Sequence, residues 1–107
     1  MKKVFVANFN NQDVSPAERF GQLVYLTEGS TNIFNTNKLV VEIKSKLEEI
    51  RDTDFLLVSG HSIVNIIASS IILFKYGILN VLIYDAKTQD YVPQTITETK
   101  LIIGDTL

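Results

Sequence analysis

Two near-continuous apolar runs, FLLVSG at 55–60 and NVLIYDA at 80–86, flank the segment IVNIIASSIILFKYG at 63–77. Strands buried on both faces lack polar alternation, because neither side of the sheet meets water. The segment between the runs ends in Tyr76 and Gly77, a helix stop. The unit therefore reads as strand, helix, strand. Such a unit joins parallel neighbours through a right-handed crossover, so the rest of the chain must supply more sheet and the layers that cover it.

VFVANF at 4–9 is a first strand, closed by Asn8, Asn10 and Asn11. Ser15, Pro16, Ala17 and Glu18 have the spacing of a capping box, which opens a short helix that Gly21 interrupts. LVYLT at 23–27 is a second strand, followed by Glu28 and an Asn/Thr-rich loop, GSTNIFNTN, at 29–37. From Lys38 to Arg51, Leu39, Val40, Ile43, Leu47 and Ile50 recur on one helical face, which predicts an amphipathic helix lying on the sheet. DAKTQD at 85–90 is turn-like, and YVPQTI at 91–96 returns as an antiparallel hairpin partner that Pro93 confines to an edge. The tail KLIIGDTL at 100–107 either adds a further short strand or packs against a neighbouring subunit.

This alternation predicts an α/β fold of Rossmann-like type: an open, mostly parallel sheet of about five strands, in two or three layers, ending in an antiparallel edge hairpin. The predicted strand order is 2-1-3-4-5. A chain of 107 residues, 46% hydrophobic, is one domain over 1–107, with no material for a second core. Six Phe and four Tyr supply enough apolar surface to offset the ordering entropy of folding.

Charge and cysteine content narrow the function classes. A net charge of −2 and a pI near 5.3 carry no electrostatic footprint for long DNA or RNA. With no Cys, neither a disulfide framework nor a thiolate zinc site can form. Lys2 and Lys3 precede a strand rather than a secretory apolar core, which predicts a cytoplasmic protein. Residues 63–74 are too few to cross a bilayer, which takes about 20, and they include Asn65, Ser69 and Ser70.

In the order 2-1-3-4-5, the connections after strands one and three leave to opposite faces, and the crevice between them is where such sheets hold ligands. Asn8 and the run Ser59-Gly60-His61-Ser62 fall at that corner. Gly60 permits close approach of a ligand, and a helix starting near Ser62 offers unpaired N–H groups and the positive end of its dipole. The plainer reading is that Ser62 caps the helix and Gly60 fits a tight turn. Histidine is the side chain whose unperturbed pKa lies nearest neutrality, so His61 is the candidate catalytic residue, as a proton donor or a phosphate partner. Ser62, Asn65 and Ser69 form a thin polar stripe that either lines the crevice or is the helix's one water-facing side, with other apolar surface buried in a symmetric dimer. Glu28 ends strand two, where dinucleotide folds place an acid on a ribose, but NFNNQD lacks the glycine fingerprint. Asp85 with Glu28 could hold a hard cation, although turn formation explains Asp85 as well. No cofactor and no metal are implied.

KVFVANF, AERFGQLVYLTEG at 17–29, FLLVSG and NVLIYDAKTQDYVPQTI resemble small uncharacterised proteins of tailed bacteriophages. That resemblance implies a phage protein of unassigned role, acting in the host cytoplasm. Ala7-Asn8 ending a Val-rich strand and Gly60-His61 before a helix also resemble the anti-CRISPR ring nucleases of archaeal viruses, small dimers that cut cyclic tetra-adenylate. In that family the His of the Gly-His pair is the general acid, which implies this role for His61. Ser62 stands where an acidic residue is usual, and Asn10, Asn11 and Gln12 replace a serine-containing loop.

The expectation is thus a homodimer that binds a nucleotide or other phosphorylated small ligand through Asn8, Glu28, Ser59, Gly60, Ser62 and Asn65. The alternative is a non-enzymatic protein that binds a host protein through an edge strand or an apolar patch.

Overall fold

The computed structural model describes residues 1–9, 13–28 and 32–102. Its sheet has the strand order 2-1-3-4-5 that the sequence predicts, built from β1 (Lys3–Phe9), β2 (Gln22–Glu28), β3 (Phe55–Leu57), β4 (Ile78–Asp85) and β5 (Asp90–Thr97). The first four strands are parallel and β5 returns antiparallel to β4, with Tyr84 opposite Tyr91 and Leu82 opposite Pro93. The fold is α/β.

Side-chain alternation along the strands divides the core in two. Phe5, Ala7, Leu26, Leu56, Leu79 and Val81 point to one face, where α1 (Thr36–Lys46) and α2 (Ser62–Tyr76) cover them with Leu39, Ile43, Val64, Ala68 and Ile72. Val4, Val6, Leu57, Leu82 and Tyr91 point to the other, where the only cover among the described residues is a 3-10 helix, η1 (Ser15–Phe20), and the Val14 before it. Two helices thus form a full layer on one side and a single short element a thin one on the other. The η1 connection leaves β1 on the face opposite to the α2 connection from β3, so the predicted reversal lies between β1 and β3.

Several local expectations are corrected. Ser15 is not an N-cap: η1 is 3-10 from Ser15 onward, no side chain caps it, and the Asp13 carboxylate accepts the Ser15 N–H at 2.9 Å. That bond holds the Asp13 carboxyl below its ordinary range. The outer end of η1 is tied to β5 by Arg19, which reaches Asp90 at 2.9 Å and stacks on Phe20. The Tyr91 N–H and then Arg19 hold the Asp90 carboxyl low. The helix predicted to run to Arg51 starts at Thr36, with Asn35 accepting the Lys38 N–H at 3.2 Å, and stops at Lys46. Leu47 and Ile50 are still buried, but in turns, because Tyr76 Oη and Lys75 Nζ donate to the carbonyls of Ile50 and Glu48 that a continuing helix would use. At the carboxyl end β5 passes into a single helical turn, α3 (Glu98–Leu101), with the Glu98 N–H donating to Gly77 O at 2.9 Å; most of the tail read as a strand or a subunit contact, residues 103–107, lies outside the described residues, as do Asn10, Asn11 and Gln12. Gly77 ends α2 in the left-handed region, φ 70°, as the helix stop required.

Asp54, 5% exposed, pins the start of β3: one carboxylate oxygen accepts the Lys3 N–H and the other the Arg51 N–H, both at 2.9 Å. Asp54→Ala leaves two donors without a charged acceptor and should lower unfolding free energy by about 1.5–3 kcal/mol in urea titrations. A loss within about 0.5 kcal/mol, the range of an ordinary surface change, would contradict this role.

Candidate functional site

At the carboxyl ends of β1 and β2 two polar side chains face each other in register, Asn8 and Thr27. Both are buried, at 6% and 2% exposure. Thr27 Oγ1 lies 2.9 Å from the Ala7 carbonyl oxygen and 2.7 Å from Asn8 Oδ1. The far end of the Asn8 amide is 3.3 Å from His61 Nε2. A polar chain therefore runs from β2 through β1 to the start of α2, across the reversal between β1 and β3. Thr27 escaped the sequence reading; its signal was that LVYLT, like VFVAN, ends on a polar residue at the ligand edge of the sheet.

β3 leaves the sheet early, and Val58 retains one bond, its N–H donating to Leu82 O at 3.0 Å. The chain then turns through Ser59, Gly60 and His61 into α2. His61 occupies the N-cap position, and its side chain makes no capping hydrogen bond. Ser62, expected as the cap, is instead the first helical residue, with its N–H bonded to Gly60 O at 3.1 Å. Ser62 N–H and Asn65 N–H are thus taken by the Gly60 and His61 carbonyls, while no side chain caps the helix start, which carries the positive end of the α2 dipole. Gly60 has no steric duty in the fold. A Cβ there would meet nothing within 4 Å, and its φ is not positive.

Asn65, one turn into α2, donates to Ser59 O at 2.9 Å. Its Oδ1 and the Ser59 Oγ are buried without a hydrogen bond among the described residues. Asn8, Ser59, Gly60, His61, Ser62 and Asn65 therefore gather at one corner. Glu28 is exposed at the end of β2, and among the described residues no hydrogen bond or ion pair joins it to this cluster. Asp85 forms the hairpin turn, accepting the Lys87 N–H at 3.0 Å. Among the described residues no three His, Asp or Glu side chains converge as a metal site.

The polar stripe on α2 is not its only water-facing side. Ser69 Oγ turns back to the helix's own Ile66 carbonyl, while the open side carries Ile66, Ser70 and Phe74, one turn apart. Phe74 is 95% exposed, Val41 on α1 69% and Ile66 58%. They line an open groove of about 1090 Å³ between α1 and α2. Among the described residues no helix is long and apolar enough to cross a membrane.

A family model for the phage Pam3 gp32-like proteins matches residues 2–98. The chain belongs to that family. The match takes in all five strands and the whole corner, and it makes this a phage protein, as the phrases in the sequence implied. No curated protein and no solved structure matches, so nothing in these comparisons ties this phage Pam3 gp32-like protein to the ring nucleases.

The glycines of this phage protein give a direct contrast. Gly60→Ala should leave stability unchanged or raise it by about 0.4–1 kcal/mol, because it only restricts the unfolded chain. Gly21→Ala should destabilise, since its Cβ would come within 2.5 Å of the Lys2 carbonyl oxygen. Thermal melts of both variants check the pair; a Gly60→Ala melt several degrees below wild type would show that the fold itself needs this glycine.

Proposed function

We propose that this phage protein binds a nucleotide or another phosphorylated small ligand at the turn from β3 into α2, a cyclic oligonucleotide second messenger of host defence being the candidate ligand. The observation that carries the reading is an α2 N-terminus with no side-chain cap, set behind a glycine that the fold does not require. Backbone amides and the helix dipole favour an anion there, and the missing Cβ lets it come close. His61 stands at the helix entrance as a partner for a phosphate oxygen. The buried Ser59 Oγ and Asn65 Oδ1 beside it are polar atoms that a bound ligand or its water can satisfy. Glu28 is an outer contact in this reading, on the neighbouring strand.

Calorimetry with inorganic phosphate and with cyclic tetra-adenylate tests it. Saturable binding is expected, weakened about tenfold or more in His61→Ala, the loss of one charge-assisted hydrogen bond. If His61 also acts as a general acid, a ribose 2′-hydroxyl attacks the adjacent phosphorus and loses its proton to water, the phosphorus–5′-oxygen bond breaks to leave a 2′,3′-cyclic phosphate, and protonated His61 gives its proton to the departing 5′-oxygen. Cleavage of cyclic tetra-adenylate would then be lost in the same variant. No heat with either probe would remove the reading.

A second reading has its own observation, the groove with exposed Phe74. Its occupant in this reading is a second copy of the chain. α1 and α2 lie side by side on one face of the sheet, and Val40, Val41, Ile66, Ser70 and Phe74 line the groove between them. A two-fold contact through this face would lay it against its own copy and cover Phe74, Val41 and Ile66, the most exposed apolar side chains of the two helices. Sedimentation equilibrium should show a wild-type dimer and a monomeric Phe74→Ser. A wild-type monomer at all concentrations would remove the homodimer and leave the groove to a host protein.

A further inference from the structure

Counting protons along the polar chain from β2 to α2 decides more than distances do. Thr27 Oγ1 carries one hydrogen, yet it lies against two oxygens, the Ala7 carbonyl at 2.9 Å and Asn8 Oδ1 at 2.7 Å. One proton cannot serve both well, and the oxygen left over would face the Thr27 oxygen at close range in a buried site. The two ends of a carboxamide have the same shape and differ only in chemistry, so its orientation is set by the protons around it. With the Asn8 amide turned by 180°, each of these three contacts joins one donor to one acceptor. Thr27 Oγ1–H donates to Ala7 O, the Asn8 NH2 donates to Thr27 Oγ1, and Asn8 presents its oxygen to His61. His61 Nε2, 3.3 Å away, must then be the protonated nitrogen.

We propose that Thr27 and Asn8 are positioning residues that hold His61 in its Nε2–H tautomer and so make Nδ1 the ring nitrogen that meets a ligand. The described residues offer Nδ1 no hydrogen bond. In the neutral ring Nδ1 is an acceptor; in the protonated ring it becomes a second donor while the Nε2–H to Asn8 bond is kept. The ring orientation therefore survives a change of charge, and the proton that comes and goes is the one facing an anionic oxygen. Asn8, expected from the sequence as a ligand contact, acts instead through His61. The part played by Nδ1 rests on the reading of the α2 N-terminus as the ligand site; the tautomer does not.

The chain contains one His, so its imidazole nitrogens can be assigned without ambiguity in long-range ¹⁵N–¹H spectra of the ¹⁵N-labelled protein. At a pH where the ring is neutral, Nε2 should appear as the N–H nitrogen and Nδ1 as the unprotonated one. The reverse pattern, or the averaged shifts of a tautomer mixture, would overturn the assignment, and this measurement needs no variant. Thr27→Val, which removes the oxygen that receives the Asn8 NH2, should move the ring towards a mixture, and Thr27→Ser should restore the single tautomer. Titration with inorganic phosphate should shift Nδ1 more than Nε2. The expected tautomer with an Nδ1 signal that phosphate leaves unmoved would keep Thr27 and Asn8 as positioning residues and overturn the ligand role of Nδ1.

Discussion

The pairing of three residues of β3 with β1 on one side and β4 on the other joins the two halves of this sheet. Val4, Phe5 and Val6 meet Phe55, Leu56 and Leu57, which in turn meet Asn80, Val81 and Leu82. Leu56 and Leu57 are buried on opposite faces, so each anchors one of the two core clusters. A strand so short cannot hold its place by backbone bonds alone. Asp54 fixes its start and the two leucines fix its faces. Its early end matters as much, because the chain leaves the sheet at Val58 while β1 continues to Phe9, and this offset opens the corner in which His61 stands.

The corner combines two kinds of constraint. The Asn8 and Thr27 side is rigid and internally bonded, set on adjacent strands in register. The α2 side is a helix start with no side-chain cap, beside which Ser59 Oγ and Asn65 Oδ1 are buried without a hydrogen bond among the described residues. Recognition surfaces of small anions commonly have this division, with fixed dipoles aimed at a space and a titratable group placed by its neighbours.

The strand order, the parallel crossover and the edge hairpin were legible because burial writes itself into sequence: FLLVSG and NVLIYDA can only be inner strands, and Pro93 can only sit at an edge. The gathering of Asn8 and the 59–62 turn was legible for the same reason, since the topology alone brings them together. Other features depend on competition between local partners. Ser15 has a capping sequence, but Asp13 reaches its N–H first. The helix that ends at Lys46 keeps its apolar spacing through Ile50, yet Tyr76 and Lys75 from α2 claim the carbonyls beyond. Thr27 gave only a faint signal, because a threonine closing a strand is ordinary until its partner across the sheet is known.

The strap formed by η1 has a consequence for how the chain comes into being. Arg19 and Asp90 are separated by 71 positions, and Val14 and Ala17 pack on Tyr91. During synthesis β1 emerges first, yet its partner β3 comes some fifty positions later and the residue that completes its lower cover later still. Early burial of Val4 and Val6 must wait, and contacts this distant in sequence are the slow ones to close. The nascent amino-terminal half is therefore a waiting state with one side of β1 bare, until β5 has left the ribosome and Tyr91 can complete the cover.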